Sequence, residues 1–121
     1  MPKTVLVVDD SAMMRKIVIK NIKECGFDVT VVEASDGEEG LEKFKAGGIN
    51  CVLSDWNMPN MDGLSMVKAI RAIDKAVPII MVTTEGSADK VKDAVLAGAN
   101  NYLAKPFTPE RFKEKLGKHL A

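Results

Sequence analysis

The sequence predicts an α/β domain in which a parallel sheet is covered by helices on both faces, and three observations carry that prediction. Short, wholly apolar runs such as Val5-Leu6-Val7-Val8 and Ile79-Ile80-Met81-Val82 suit strands buried on both sides. A stretch with apolar residues at helical spacing follows each such run, so strand and helix alternate five times. The 121 residues, 46% hydrophobic and 28% charged, have the size and balance of one soluble domain, residues 1–121. Strict alternation implies right-handed crossovers and a doubly wound sheet whose ligands bind beyond the carboxyl ends of its strands.

Taken in order, the first strand ends at Val8, before Asp9-Asp10. A helix from Ser11 to Cys25 follows, with Met14, Ile17, Val18, Ile22 and Cys25 inward and Gly26 at its end. Phe27 to Ala34 reads as the second strand. Asp36, with Glu39 three residues on, forms a capping box for a helix that turns Leu41 and Phe44 inward and stops at Gly47-Gly48. The third strand, Ile49 to Ser54, stops at Asp55. Met58-Pro59-Asn60-Met61-Asp62-Gly63 is turn chemistry, with Asp62 as N-cap of a helix carrying Leu64, Val67 and Ile70. Pro78 opens the fourth strand, and Thr83 to Ser87 leads into a helix with Val91, Ala94 and Val95 inward, closed by Gly98. Asn101 to Ala104 is the fifth strand. Lys105-Pro106 breaks it, and Thr108 and Pro109 are N-cap and first residue of a last helix with Phe112 and Leu116 inward.

Composition excludes several functions. Seventeen Lys and Arg balance seventeen Asp and Glu, so the basic field that holds nucleic acid is absent. No apolar run reaches the roughly 18 to 20 residues of a membrane span, and the first residues carry no signal-peptide core, so a cytoplasmic protein is expected. Cys25 and Cys51 lack metal-ligand spacing and read as buried reduced thiols. His119 is the single histidine and reads as a surface residue. Met13, Met14, Met58, Met61 and Met66 form no periodic stripe and read as packing. Trp56 is expected at the surface, beside the cleft. The glycines form no dinucleotide fingerprint, and Ser35, Ser54 and Ser87 have no histidine partner.

The chemistry gathers at the strand ends. Asp9 and Asp10 end the first strand, Asp55 the third, Thr83 the fourth and Lys105 the fifth, which places all of them on one edge of the sheet. Converging carboxylates repel unless a cation compensates, and an oxygen-only donor set favours a hard ion such as Mg²⁺. Mg²⁺ shares its shell with phosphoryl oxygens, a Lys ammonium neutralises another oxygen, and a carboxylate serves as nucleophile. Asp55 is the nucleophile of choice.

Asp9-Asp10, Asp55, Thr83 and Lys105-Pro106 together resemble the pattern of response-regulator receiver domains over essentially the whole chain. Asp55-Trp56-Asn57-Met58-Pro59-Asn60-Met61-Asp62-Gly63-Leu64 is similar to the phosphorylation loop of the chemotaxis members of that family, and Ala104-Lys105-Pro106-Phe107-Thr108 to their last catalytic loop. The resemblance implies the flavodoxin-like strand order 2-1-3-4-5. It also implies that Asp10, Asp55 and the Asn57 carbonyl bind Mg²⁺ directly, with Asp9 acting through water. Asp55 would accept phosphate from a histidine kinase, Lys105 would contact the phosphoryl group, and the Lys105-Pro106 bond would be cis. Thr83 and Tyr102 would form a switch that alters the face of the fourth helix, fifth strand and fifth helix. Asn57 and Glu85 occupy positions that, in the family this chain resembles, adjust the lifetime of the acyl phosphate.

With no residues beyond the last helix, output through a protein contact is expected, and the resemblance implies a monomer whose partners are the kinase, a flagellar motor switch protein or other effector, and a phosphatase. Turnover beyond self-phosphorylation and autodephosphorylation is not expected. A same-fold alternative is a receiver shuttling phosphate within a relay. A Mg²⁺-dependent phosphatase is a distant second: haloacid-dehalogenase-like enzymes carry the nucleophile on the first strand in a DxD arrangement, under a cap. A flavin-binding module would need a phosphate-binding loop where this chain has Asp9-Asp10.

Overall fold

The computed structural model describes residues 3–56, 58–83, 88–105 and 107–120. Its strands are β1 (Lys3–Val8), β2 (Val29–Ala34), β3 (Cys51–Ser54), β4 (Ile79–Thr83) and β5 (Asn101–Ala104), and its helices are α1 (Ala12–Glu24), α2 (Gly37–Lys45), α3 (Gly63–Ile73), α4 (Ala88–Ala97) and α5 (Pro109–Leu120). The sheet order is β2-β1-β3-β4-β5, with every pairing parallel. The doubly wound fold and the strand order are both as expected. In the register, Val8 lies beside Ala34 and Ser54, and Thr83 beside Ala104. The strands therefore end together, and Asp9, Asp55 and Lys105 leave the sheet along one edge.

Side chains alternate across the pleat and divide the core in two. Leu6, Val8, Val52, Ile79 and Met81 face α2, α3 and α4, where Phe44, Met66, Val67, Ile70 and Ala94 complete one cluster. Val5, Val7, Cys51, Leu53, Ile80, Val82 and Leu103 face α1 and α5 and pack on Val18, Ile22, Phe112, Leu116 and Leu120. Each large apolar side chain removed from water in this way contributes roughly 1.5–3 kcal/mol before ordering entropy.

The helix starts follow the expected chemistry. Ser11 Oγ accepts the Met14 N–H at 3.2 Å, Asp36 Oδ1 that of Glu39 at 2.8 Å, Asp62 Oδ1 that of Ser65 at 2.7 Å and Thr108 Oγ1 that of Arg111 at 3.2 Å. Glu39 reaches back to the Ser35 N–H at 3.2 Å, one residue before the Asp36 cap, so the return bond of the expected box is displaced by one position.

Several details differ from expectation. β2 and β3 begin at Val29 and Cys51, because Phe27 and Ile49 reach the two clusters from the preceding loops. Ile17, Val95 and Met13 are exposed, since each helix touches the sheet along one stripe that Val18, Ile22 and Ala94 already fill. Met66 is buried, and Met58 and Met61 pack beside it. Trp56 is 5% exposed, held in the cluster beneath the sheet edge rather than lying open at the cleft. Cys25 is half-buried, with its thiol 3.6 Å from the Pro109 carbonyl. Cys51 is buried and its thiol is pushed up to about 12 by loss of water. His119 is half-buried, with Nε2 enclosed and without a hydrogen-bond partner among the described residues. Among the described residues, no helix is long and apolar enough to cross a membrane.

Candidate phosphoryl and metal site

The backbone ladder does not stop where the strands stop. Asp9 N–H donates to Ala34 O at 3.1 Å and Asp55 N–H to Val8 O at 2.9 Å, so both carboxylates leave from fixed backbone. Asp9 Oδ1 accepts the Ser11 N–H at 2.9 Å, and Asp55 Oδ1 accepts the Trp56 N–H at 2.8 Å. Lys105, leaving β5 on the same edge, places Nζ 3.1 Å from Asp9 Oδ2 and 3.5 Å from Asp55 Oδ1. Its side chain is 11% exposed, against 5% for Asp9 and 15% for Asp55, so these charges interact through a medium poorer than water.

Asp9, Asp10 and Asp55 each offer a carboxylate oxygen within 4.8 Å of the others. Asp9 is buried, Asp55 half-buried and Asp10 exposed. Burial raises the Asp55 carboxyl above its ordinary range and the neighbouring Asp9 charge raises it further, while Lys105 and the Trp56 N–H oppose the rise. Three carboxylates facing one ammonium leave excess negative charge. The donor set is all oxygen, with no thiol or imidazole in the cluster, and it fits a hard divalent cation of the Mg²⁺ class. A cleft beside Asp9 and Asp55, floored by Val18, Leu53 and Val82, limits water around the pair.

The expected residues Asp9, Asp10, Asp55 and Lys105 meet in this one place. Thr83 ends β4 beside Ala104, and Tyr102, next to Met81 in the register, is half-buried on the α2, α3 and α4 face. Asn57, Glu85, Pro106 and the side chain of Thr83 lie outside the described residues.

Three further residues shape the site, and of these Arg15 and Ser54 carried no signal in the sequence. Arg15, on the first turn of α1, donates from Nη1 to Asp9 O at 2.6 Å and from Nε to Glu33 Oε1 at 3.0 Å, tying the acidic turn to β2. Ser54 is fully buried and donates to Asp55 O at 2.8 Å. Gly63 packs so closely that a Cβ would lie 2.1 Å from Asp55 O, and its N–H donates to Trp56 O at 2.8 Å. Arg15 and Ser54 sit in ordinary helix and strand patterns, where only the tertiary contact marks them.

Comparison with known proteins agrees with this geometry. Residues 5–117 match the response regulator receiver domain family. The chain is 50% identical over 114 residues to chemotaxis protein CheY1 of Helicobacter pylori, covering 92% of this chain and 91% of that protein. Its fold superposes on chemotaxis protein CheY4 of Vibrio cholerae with a TM-score of 0.89 and 38% identity, over 99% of this chain and 100% of that one. It superposes on CheY of Borrelia burgdorferi, solved in a CheX-CheY-BeF3-Mg complex, with a TM-score of 0.85 and 32% identity, over 94% and 89% of the two chains. The two halves of the observation, a parallel sheet ordered 2-1-3-4-5 and an aspartate cluster faced by a lysine at its carboxyl edge, belong together in that family, and this chain is a member of the response regulator receiver domains.

Proposed function

We propose that this receiver domain, residues 1–121, is a chemotaxis response regulator that accepts a phosphoryl group on Asp55 from a phosphohistidine of a histidine kinase. The single observation that carries the reading is the approach of Lys105 to both Asp9 and Asp55 beside the clustered carboxylates of Asp9, Asp10 and Asp55. A bound Mg²⁺ supplies charge neutralisation for the transferring phosphoryl oxygens. Asp10, Asp55 and the Asn57 carbonyl are its proposed direct holders, with Asp9 acting through water.

Asp55 Oδ attacks phosphorus, the bond from phosphorus to the histidine nitrogen breaks, and an aspartyl phosphate forms. Lys105 Nζ follows the developing charge from carboxylate to phosphoryl oxygen. The Thr83 hydroxyl turns to a phosphoryl oxygen, and the Tyr102 ring moves with it. The face formed by α4, β5 and α5 then binds a flagellar motor switch protein or other effector. Asn57 and Glu85 set how readily water reaches the acyl phosphate, and a phosphatase ends the signal. The protein works as a cytoplasmic monomer. Its similarity to chemotaxis protein CheY1 of Helicobacter pylori supports the chemotaxis assignment over a relay shuttle.

Intact-mass measurement after incubation with Mg²⁺ and acetyl phosphate tests the reading. The expected result is a gain of one phosphoryl group in wild type and none in Asp55→Asn. Equal labelling of both proteins would overturn it.

A further inference from the structure

The loop that leaves Asp55 is gripped from outside the acidic cluster. Asp36 caps α2 with one carboxylate oxygen, Oδ1, which accepts the Glu39 N–H at 2.8 Å. Its other oxygen, Oδ2, accepts the Asn60 Nδ2–H at 2.7 Å across 24 residues of sequence. The next residue, Gly37, donates its N–H to Met61 O at 3.0 Å, so the N-cap and first residue of α2 hold two consecutive residues of the loop. The fit is close: a Cβ on Gly37 would lie 2.3 Å from Met61 O. Asn60 itself has φ +67, a left-handed conformation that Asn tolerates better than most non-glycine residues. Hydrogen bonds from the Glu39 N–H and the Asn60 amide lower the Asp36 carboxyl below its ordinary range, in keeping with a carboxylate that accepts from both. At the far end, Gly63 N–H on Trp56 O returns the loop to its start.

We propose that Asp36 is a positioning residue for the phosphoacceptor loop, latching it through Asn60 so that the cation site beside Asp55 is formed before the cation arrives. The inference rests on the reading of Asp55 as a metal-assisted phosphoacceptor. Asp36 is not one of the clustered carboxylates, so its influence passes through Asn60 and the loop backbone. Without the latch, the ordering entropy of the loop is charged against cation binding, and affinity falls although no ligand has been removed.

Calorimetric titration of the full chain with Mg²⁺ tests this, with three proteins side by side. Asn60→Gly keeps the left-handed backbone accessible and removes the amide, while adding backbone freedom of its own, which the exchanged pair does not. The exchanged pair Asp36→Asn with Asn60→Asp keeps the hydrogen bond with its direction reversed, along with the α2 cap and the total charge. The expected result is roughly tenfold weaker Mg²⁺ binding in Asn60→Gly, the scale of an outer partner lost from a metal site. Faster hydrogen exchange at the Gly37 amide should accompany it, with both readings recovered in the exchanged pair. Unchanged Mg²⁺ affinity in Asn60→Gly, or no recovery in the exchanged pair, would overturn the latch while leaving the phosphoacceptor reading intact. Wild type that binds no Mg²⁺ would overturn that reading and the latch with it.

Discussion

Lys105 Nζ lies 3.1 Å from Asp9 Oδ2 and 3.5 Å from Asp55 Oδ1, a single ammonium shared between two carboxylates that arrive from different strands. The lysine is the internal counter-ion of the pair; in the proposed reading a divalent cation bound among the same carboxylates would compete with it for negative charge and free it for a phosphoryl oxygen.

Replacing that ammonium separates its two roles. Lys105→Met leaves Asp9 and Asp55 without their cation, and the metal-free protein should lose about 3 kcal/mol in urea unfolding, the scale of a broken buried pair. Mg²⁺, relieved of a competitor, should bind several-fold more tightly in calorimetry, while transfer from acetyl phosphate slows. Weaker Mg²⁺ binding in Lys105→Met would contradict the competition.

Asp55 ionises less readily in the folded chain, chiefly because it is buried, with the Asp9 charge adding to the effect. A carboxyl raised on folding favours the folded state while protonated, and that advantage is lost as pH rises through the folded value. Asp55→Asn should therefore stabilise the metal-free protein at neutral pH by about 1 kcal/mol, or roughly 3–6 °C in Tm. The difference from wild type should vanish in acid below the ordinary carboxylate range. Thermal melts in chelator across pH check both the sign and the window.

Gly63 and Gly117 should respond oppositely to alanine. A Cβ on Gly63 would meet Asp55 O at 2.1 Å and Met81 Cε at 2.9 Å, whereas one on Gly117 meets nothing closer than Phe27 Cζ at 4.0 Å. Gly63→Ala should cost roughly 2–3 kcal/mol through forced backbone movement and slow phosphoryl transfer at the displaced Asp55. Gly117→Ala, inside α5, should gain about 0.5–1 kcal/mol. Chemical denaturation of the two variants gives the comparison.

His119 has Nε2 enclosed without a partner among the described residues, and burial, followed by the charges of Lys118 and Lys3, lowers its affinity for a proton. A base depressed on folding contributes stability above its ordinary titration range, and that stability is lost as pH falls toward the folded value. Wild type should lose stability on acidification through the imidazole range, and His119→Gln should flatten that part of the curve measured by urea unfolding.

Most of this architecture was legible in one dimension because its signals are local. Apolar runs, the caps Asp36, Asp62 and Thr108, and the polar residues placed where the strands stop fixed the elements and the chemical edge. The strand order was not local, since alternation permits several orders, and it came from a family resemblance that the register between β1, β2 and β3 bears out. Contacts across the chain were invisible for the same reason: Asn60 reads as a turn residue until Asp36 is seen beside it, and Arg15 as a helix-face charge until it meets Asp9 O. The burial of Trp56 was missed because its neighbours in sequence are polar, while its neighbours in space are the sheet and α3.

The central claim is that Asp55 is the residue that takes the phosphoryl group. Borohydride reduction of protein treated with acetyl phosphate and Mg²⁺ converts an aspartyl phosphate to homoserine, and peptide mass mapping locates it. Homoserine at position 55, absent when Mg²⁺ is chelated, is the result expected. Homoserine at position 9 or 10 instead, or none anywhere in the chain, would contradict it.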